Sequence, residues 1–95
     1  MRIEPPLHWD DNNVAHIWQS HQVRPDEVEE ALFGIEGEEA VYRIRRDGDA
    51  YVIYGETGDG RLLKMVGEFM RSERFRIFAA MDMDEHERRA FRKGR

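Results

Sequence analysis

Two short turn signals divide the middle of the chain into segments typical of β-strands. Asp47-Gly48-Asp49 and Thr57-Gly58-Asp59-Gly60 contain the Gly and Asp residues that tight hairpin turns favour, because these residues adopt a positive φ at low cost. The turns separate three runs, 41–46, 50–56 and 61–69, in which apolar and polar residues largely alternate. Short runs joined by tight turns predict neighbouring antiparallel strands.

The stretch that follows begins as a strand and ends as a helix. Its first half is apolar at every second position, which is the period of a pleated strand: Phe75, Ile77, Ala79 and Met81. Asp84 then supplies an N-cap, acidic residues fill the next turn and basic residues fill the last, as the helix dipole favours. We predict a fourth strand at 74–81 and a terminal helix at 84–93.

Two further helices precede the strands. Several N-cap residues at 10–13 and apolar residues at helical spacing predict a helix at 12–21. Pro25, followed by two acidic residues and ended by Gly34, predicts a helix at 25–33. Residues 1–7 contain Pro5-Pro6 and are expected to form an extended lead-in. This order predicts a single α+β domain over 1–95, with two N-terminal helices, a four-stranded antiparallel meander sheet and a C-terminal helix.

Composition narrows the class of protein. The 95 residues include no cysteine, which excludes disulfides and thiolate metal sites. No apolar run approaches the length of a membrane span, and the first residues lack the apolar region of a signal peptide. We therefore expect a cytoplasmic protein with no membrane partner.

The charge is unevenly distributed along the chain. The net charge is −5, yet residues 1–60 hold five Lys/Arg against fourteen Asp/Glu, whereas residues 61–95 hold ten against six. Two interpretations are open. The two parts form ion pairs with each other, or the C-terminal part presents a cationic face to RNA or to an acidic partner.

An ordered set of short segments resembles one family across almost the whole chain. The segments are Trp9-Asp10-Asp11-Asn12, His21-x-Val23, 26–34, 54–63 (YGETGDGRLL), Arg76-Ile77, Ala80-x-Asp82-Met83 and 87–92 (ERRAFR). This set is similar to the BrnT family, the toxins of type II toxin–antitoxin pairs. The resemblance implies a RelE-like fold and a cofactor-independent, metal-independent ribonuclease that inhibits translation, acting free or on the ribosome. It also implies a ribbon–helix–helix antitoxin partner, BrnA-like, through which the toxin reaches DNA only indirectly.

The chain departs from the family pattern at two positions. Met81 stands where the family commonly has an arginine, in Ala-Arg-Asp-Met, and Gln22 stands where it often has glycine, in His-Gly-Val. Loss of the arginine removes a cation from the expected active site. The alternative function is therefore a catalytically inactive relative that binds an antitoxin or acts as a regulatory module.

Cleavage of RNA without a metal requires a base, an acid and cations for the developing phosphorane charge. Arg61 and Arg76 are our first candidates for the cations, because guanidinium matches two phosphate oxygens and the resemblance places functional arginines in these two strands. Lys64 on the same sheet and His86 in the last helix complete the catalytic set. The alternatives are that Arg61 belongs to a turn, that Arg76 lies on a solvated face, that Lys64 forms a cross-strand salt bridge and that His86 faces solvent.

Other residues have simpler interpretations. Four arginines are predicted to contact a partner or RNA: Arg74 in the fourth strand, and Arg88, Arg89 and Arg92 in the terminal helix. The alternative for the terminal helix is a peripheral helix whose basic residues only match its dipole. His16 and His21 lie five apart with no obvious third ligand, so we predict no metal site. Trp9 and Trp18 are expected to anchor the core rather than to stack on bases.

Overall fold

The seven predicted elements are all present, in the predicted order. The computed structural model describes residues 2–36 and 38–94. The elements are α1 (Asp11–His21), α2 (Pro25–Phe33), β1 (Arg43–Asp47), β2 (Ala50–Glu56), β3 (Leu62–Phe69), β4 (Phe75–Asp82) and α3 (Glu85–Lys93). The α+β class is confirmed. Met1, Gly37 and Arg95, which the predicted lead-in and domain also include, lie outside the described residues.

The sheet is an antiparallel meander with the order β1-β2-β3-β4. Asp47 pairs with Ala50 across the first turn, where Gly48 adopts a φ of 64°. A bulge in β4 interrupts its pairing with β3 between Val66 and Gly67, whose partners are Ala79 and Ile77. This pairing fixes which side chains share a face, because alternate residues point to opposite sides.

The main core lies between one sheet face and the first two helices. It contains Ile17, Val28, Leu32, Ile53, Leu63, Met65, Phe75 and Ile77, among others. Asn13 is buried in α1 and donates from Nδ2 to the carbonyl oxygens of His8 and Ile77, both at 3.0 Å. The amide of His8 donates to the carbonyl of Phe75 at 2.9 Å. These bonds cover the outer edge of β4 with the segment that leads into α1.

The two tryptophans differ in how deeply they are buried. Trp9 packs against the core and donates from its indole nitrogen to Glu29 at 3.2 Å. Trp18 is 52% exposed, so its prediction as a core anchor is wrong. The reason is rotational: α1 buries Asn13 and Ile17, and the next position points away from that face.

The opposite sheet face carries α3. Leu62, Met83 and Phe91 form a second, smaller apolar cluster, with Tyr54 packed against it. Asp84 caps the helix as predicted, since its carboxylate accepts from the amide of Glu87 at 2.8 Å. The side chain of Glu87 accepts in return from the amide of Asp84 at 3.0 Å. None of the helices in the described part of the chain has the length and apolar character needed to cross a membrane.

Candidate functional site

A groove of about 300 Å³ lies between α3 and strands β1 and β2. We call it the α3 groove. It is lined by Arg43, Ile44, Arg45, Tyr54, His86, Glu87, Ala90 and Phe91. The lining combines apolar side chains with a few charged and polar ones, which is the usual composition of a ligand site. The groove includes His86, one of the predicted catalytic residues.

Glu87 is the centre of a hydrogen-bonded network at this groove. Its Oε2 atom contacts the Lys64 ammonium at 3.0 Å and accepts from the Tyr54 hydroxyl at 3.3 Å. Lys64 and Tyr54 are cross-strand partners on β3 and β2, so the sheet itself brings them together. The capping box of α3 brings Glu87 to them from the other side. Lys64, a predicted catalytic residue, therefore borders the groove.

The charge states of this network are well defined. Burial acts to raise the pKa of Glu87, but hydrogen bonds from the Asp84 amide and from Lys64 outweigh it, and the pKa lies below its ordinary value. The hydrogen bond to Glu87 raises the pKa of Lys64 against the effect of desolvation. The neighbouring Tyr54 oxygen raises the pKa of Arg45. At neutral pH Glu87 is thus an anion, and Tyr54 lies between this anion and the Arg45 cation.

These contacts divide the possible chemical roles. Glu87 is a weak base because its pKa is lowered and three donors already occupy its two oxygens. The Tyr54 hydroxyl donates its hydrogen to Glu87, and its oxygen lies next to Arg45. His86 is exposed at the start of α3, and the free nitrogen of a neutral imidazole can accept a proton. Lys64 and Arg45 supply positive charge. The groove thus combines proton carriers with cations, which is what phosphoryl chemistry without a metal requires.

Arg61 lies outside the groove and serves as a clamp between elements. Its Nε and Nη2 atoms donate to the two carboxylate oxygens of Asp82, at 2.7 and 3.1 Å. Nη1 donates to Glu27 at 3.2 Å and to the carbonyl of Gln22 at 3.0 Å. Nη2 also donates to the carbonyl of His21 at 3.1 Å. These contacts use the whole donor fork of the guanidinium, so Arg61 can contact a phosphate only by releasing a partner.

Arg61 also lies in the turn before β3, which was the alternative interpretation, and the structure does not bring it to Arg76. Arg76 pairs with Glu68, whereas Arg61 precedes Leu62 at the far end of the same hairpin. Arg61 lies seven positions before Glu68, which is about 24 Å at about 3.4 Å per residue. The two arginines therefore do not form one site.

The Arg76 side chain forms an ion pair at the N-terminus of α1. Its Nε atom lies 3.2 Å from Oδ2 of Asp10, the N-cap of that helix. The hydrogen bond from the Asn13 amide, helped by Arg76, lowers the pKa of Asp10 from 3.8 to about 2. Next to Arg76 is a shallow depression that also includes Asn12, His16 and Phe78. Arg76 thus stabilises a helix cap and leaves little charge for an external anion.

The predicted partner arginines remain outside the groove. Arg88 donates to the carbonyl of Met83 at 2.6 Å, and Arg89 pairs with Glu85 at 2.6 Å along α3. Arg74 and Arg92 are exposed. Two of the four are therefore paired within the chain, and all four stay on surfaces where a partner could contact them.

Three residues to which the groove's chemistry is assigned were not singled out from the sequence: Arg45, Tyr54 and Glu87. One signal for Tyr54 was present, because the turn at 57–60 aligns the strands before and after it and sets Tyr54 near Lys64. A signal for Glu87 was also present, because an acidic residue three positions after an N-cap marks a capping box. No local pattern shows that α3 covers this sheet face, so the site itself could not be assembled.

Among the described residues, no three His, Cys, Asp or Glu side chains are grouped so that they could hold a metal ion. Comparison of the chain with protein-family models, with curated proteins and with solved structures gives no match. The α3 groove and the sequence resemblance are therefore the two indications of function.

Proposed function

We propose that the chain is a toxin-type endoribonuclease of a type II toxin–antitoxin pair, which inhibits translation by cleaving RNA in the α3 groove. The observation that carries the proposal is the Glu87-centred network, in which Lys64 and the Tyr54 hydroxyl meet beside Arg45 and His86. This set contains two of the predicted catalytic residues. The sequence resemblance supports the same activity and adds a BrnA-like ribbon–helix–helix antitoxin as partner.

The proposed reaction needs no metal. His86 accepts the proton of the ribose 2′-hydroxyl, whose oxygen attacks the adjacent phosphorus. The bond from phosphorus to the 5′-oxygen breaks, Tyr54 donates the proton that the leaving oxygen needs, and a 2′,3′-cyclic phosphate remains. Arg45 and Lys64 stabilise the additional negative charge on the phosphorane. Glu87 contacts no substrate in this scheme, and it positions Lys64 and Tyr54.

A second function is favoured by one contact. Met81 is the cross-strand partner of Lys64, on the sheet face that carries the network. The cation that the family commonly has at this position would therefore lie beside the proposed reaction site. Its absence supports the alternative of an inactive module that binds an antitoxin through exposed cations such as Arg74 and Arg92.

The decisive experiment follows a 5′-labelled single-stranded RNA incubated with the purified chain in EDTA, with and without ribosomes. We expect cleavage that ends in a cyclic phosphate, reduced about 10²–10⁴-fold by His86→Asn and by Tyr54→Phe. Lys64→Met should also lose activity, whereas Lys93→Met, at the far end of α3, is the matched control. Uncut RNA in every condition, or full activity in all three groove variants, would refute the nuclease.

Met81→Arg separates the two functions. If wild type leaves RNA intact and this variant cleaves it, the chain is an inactive relative that has lost a cation. If wild type cleaves, and expression without an antitoxin arrests growth, the nuclease proposal stands. Inactivity of both proteins, together with no binding to a ribbon–helix–helix protein, contradicts both functions.

A further inference from the structure

The two edges of the sheet differ in their hydrogen bonding to the rest of the chain. The outer edge of β4 is covered by the bonds from His8 and Asn13 described above. The outer edge of β1 has no such cover: among residues 2–36 and 38–94, no backbone hydrogen bond outside the β1–β2 ladder involves Arg43–Asp47. A strand with unpaired amide and carbonyl groups is a template for a further strand.

The hairpin geometry identifies which groups are available. Asp47 and Ala50 close a two-residue turn, and the closing pair of such a turn exchanges both hydrogen bonds. Hydrogen-bonded and non-hydrogen-bonded pairs alternate from there along the ladder, so the backbone groups of Arg45 and Arg43 bond to β2. Ile44 and Arg46 therefore direct their amide and carbonyl groups to the open edge.

The side chains along this edge select the incoming strand. Arg43, Arg45 and Arg46 are exposed, and with Asp47 they give the strand a net charge of +2. Two copies of β1 paired with each other would place these arginines together, which disfavours a homodimer through this edge. Acidic residues on an incoming strand would instead meet opposite charge.

Two exposed apolar side chains lie beyond the N-terminus of β1. Val41, two residues before the strand, is 65% exposed, and Ile35 is 43% exposed. Both line a shallow and mostly polar depression, whose other lining residues include Glu30, Glu38, Glu39 and Glu56. An extended segment pairing with β1 can place an apolar side chain against Val41 and Ile35, but its acidic residues must lie over the arginines and away from these glutamates.

We propose that the β1 edge binds an extended acidic segment of a different protein, which adds a fifth strand to the sheet. This inference does not depend on the nuclease activity, because the strand pairing uses the backbone groups of Ile44 and Arg46, although the side chains of Arg43 and Arg45 also line the α3 groove. Backbone hydrogen bonds to Ile44 and Arg46 provide the pairing, and the arginines provide the selection for acidic sequence.

The probe is a synthetic nine-residue peptide that alternates Glu with Val, Ile and Thr. We expect binding to the chain with at least tenfold slower hydrogen exchange at the amides of Ile44 and Arg46. The same peptide with N-methylated alternate amides, and a peptide with Lys in place of Glu, should bind at least tenfold more weakly. Arg46→Pro removes one outward amide where an edge strand tolerates proline, and should also weaken binding at least tenfold, with Arg46→Ala as its control.

Each other outcome overturns the proposal. These outcomes are no binding at millimolar peptide, equal binding of the basic or N-methylated peptide, and exchange protection at residues other than the β1 edge. Protection of Ile44 and Arg46 without peptide, together with a dimer in sedimentation, would assign the edge to a second copy of the chain. Should Arg46→Pro fail to fold, the N-methylated peptide tests the same hydrogen bonds.

Discussion

Arg61→Ala should destabilise the domain strongly, because the guanidinium joins α1, α2 and β4 through one side chain. Arg61 is 26% exposed and its partner Glu27 is 13% exposed, so truncation leaves a largely buried carboxylate without its cation. Removing one partner from such a pair, with hydrogen bonds to two carbonyls, costs about 2–4 kcal/mol. A chain of 95 residues has a total free energy of unfolding of about 5–14 kcal/mol.

The assay is thermal and urea unfolding at pH 7, monitored by circular dichroism. A loss of about 2–4 kcal/mol lowers the Tm of a domain this small by about 10–30 °C. Arg61→Lys should recover only part of it, since an ammonium lacks the planar fork that holds Asp82 and Glu27 together. Arg76→Ala is the comparison, because its side chain has nearly the same exposure, 27%, and one acidic partner. Arg76→Ala should therefore lower the free energy of unfolding by less than Arg61→Ala does.

A loss below about 1 kcal/mol for Arg61→Ala, the range of an ordinary surface pair, would refute the clamp. The result also decides how activity data are interpreted. If the variant is destabilised as expected, lost RNA cleavage measured above its Tm says nothing about catalysis. Activity must then be compared at a temperature at which the variant is folded.

Two further predictions concern pH and backbone packing. Because the Asn13 amide and Arg76 lower the pKa of Asp10 from 3.8 to about 2, the stability it contributes is present above about pH 4 and lost as the pH falls towards 2. Asp10→Asn should therefore flatten the fall of Tm between pH 5 and pH 2, and an unchanged slope would contradict this assignment. Gly67→Ala would place a Cβ 2.5 Å from the carbonyl oxygen of Arg76, so unfolding in urea should show a loss of about 1–3 kcal/mol or more. Gly48→Ala is its control, because it meets no atom within 4 Å and shows only the cost of its positive φ; an equal loss in both would rule out the clash.

Local chemistry accounts for most of what could be predicted about the fold. Turn residues at 47–49 and 57–60 fix the hairpins, and hairpins fix register, so strand pairing follows from short-range signals. The cap at Asp84 and the stop at Gly34 are equally local. These signals act within a few residues and do not depend on how the layers pack.

The site was harder to predict because it depends on long-range packing. Lys64 and His86 were chosen for their chemistry, but the groove that joins them exists only because α3 covers one sheet face. Arg61 was chosen for the same reason, and its acidic and carbonyl partners come from three other elements. A sequence pattern identifies a cation, whereas its partners are set by the tertiary fold.

The second apolar cluster has a consequence for how the groove opens. Phe91 is the one buried residue of α3 in the described structure, and it packs with Leu62 and Met83 apart from the main core. Because α3 is held by this small cluster and by a few polar contacts of Glu87 and Arg88, we expect its amide hydrogens to exchange through local opening, at a lower free energy than those of the strands beneath it. The wall that holds Glu87 and His86 can therefore detach while the meander persists. Groove-dependent activity should accordingly disappear on heating before the sheet melts.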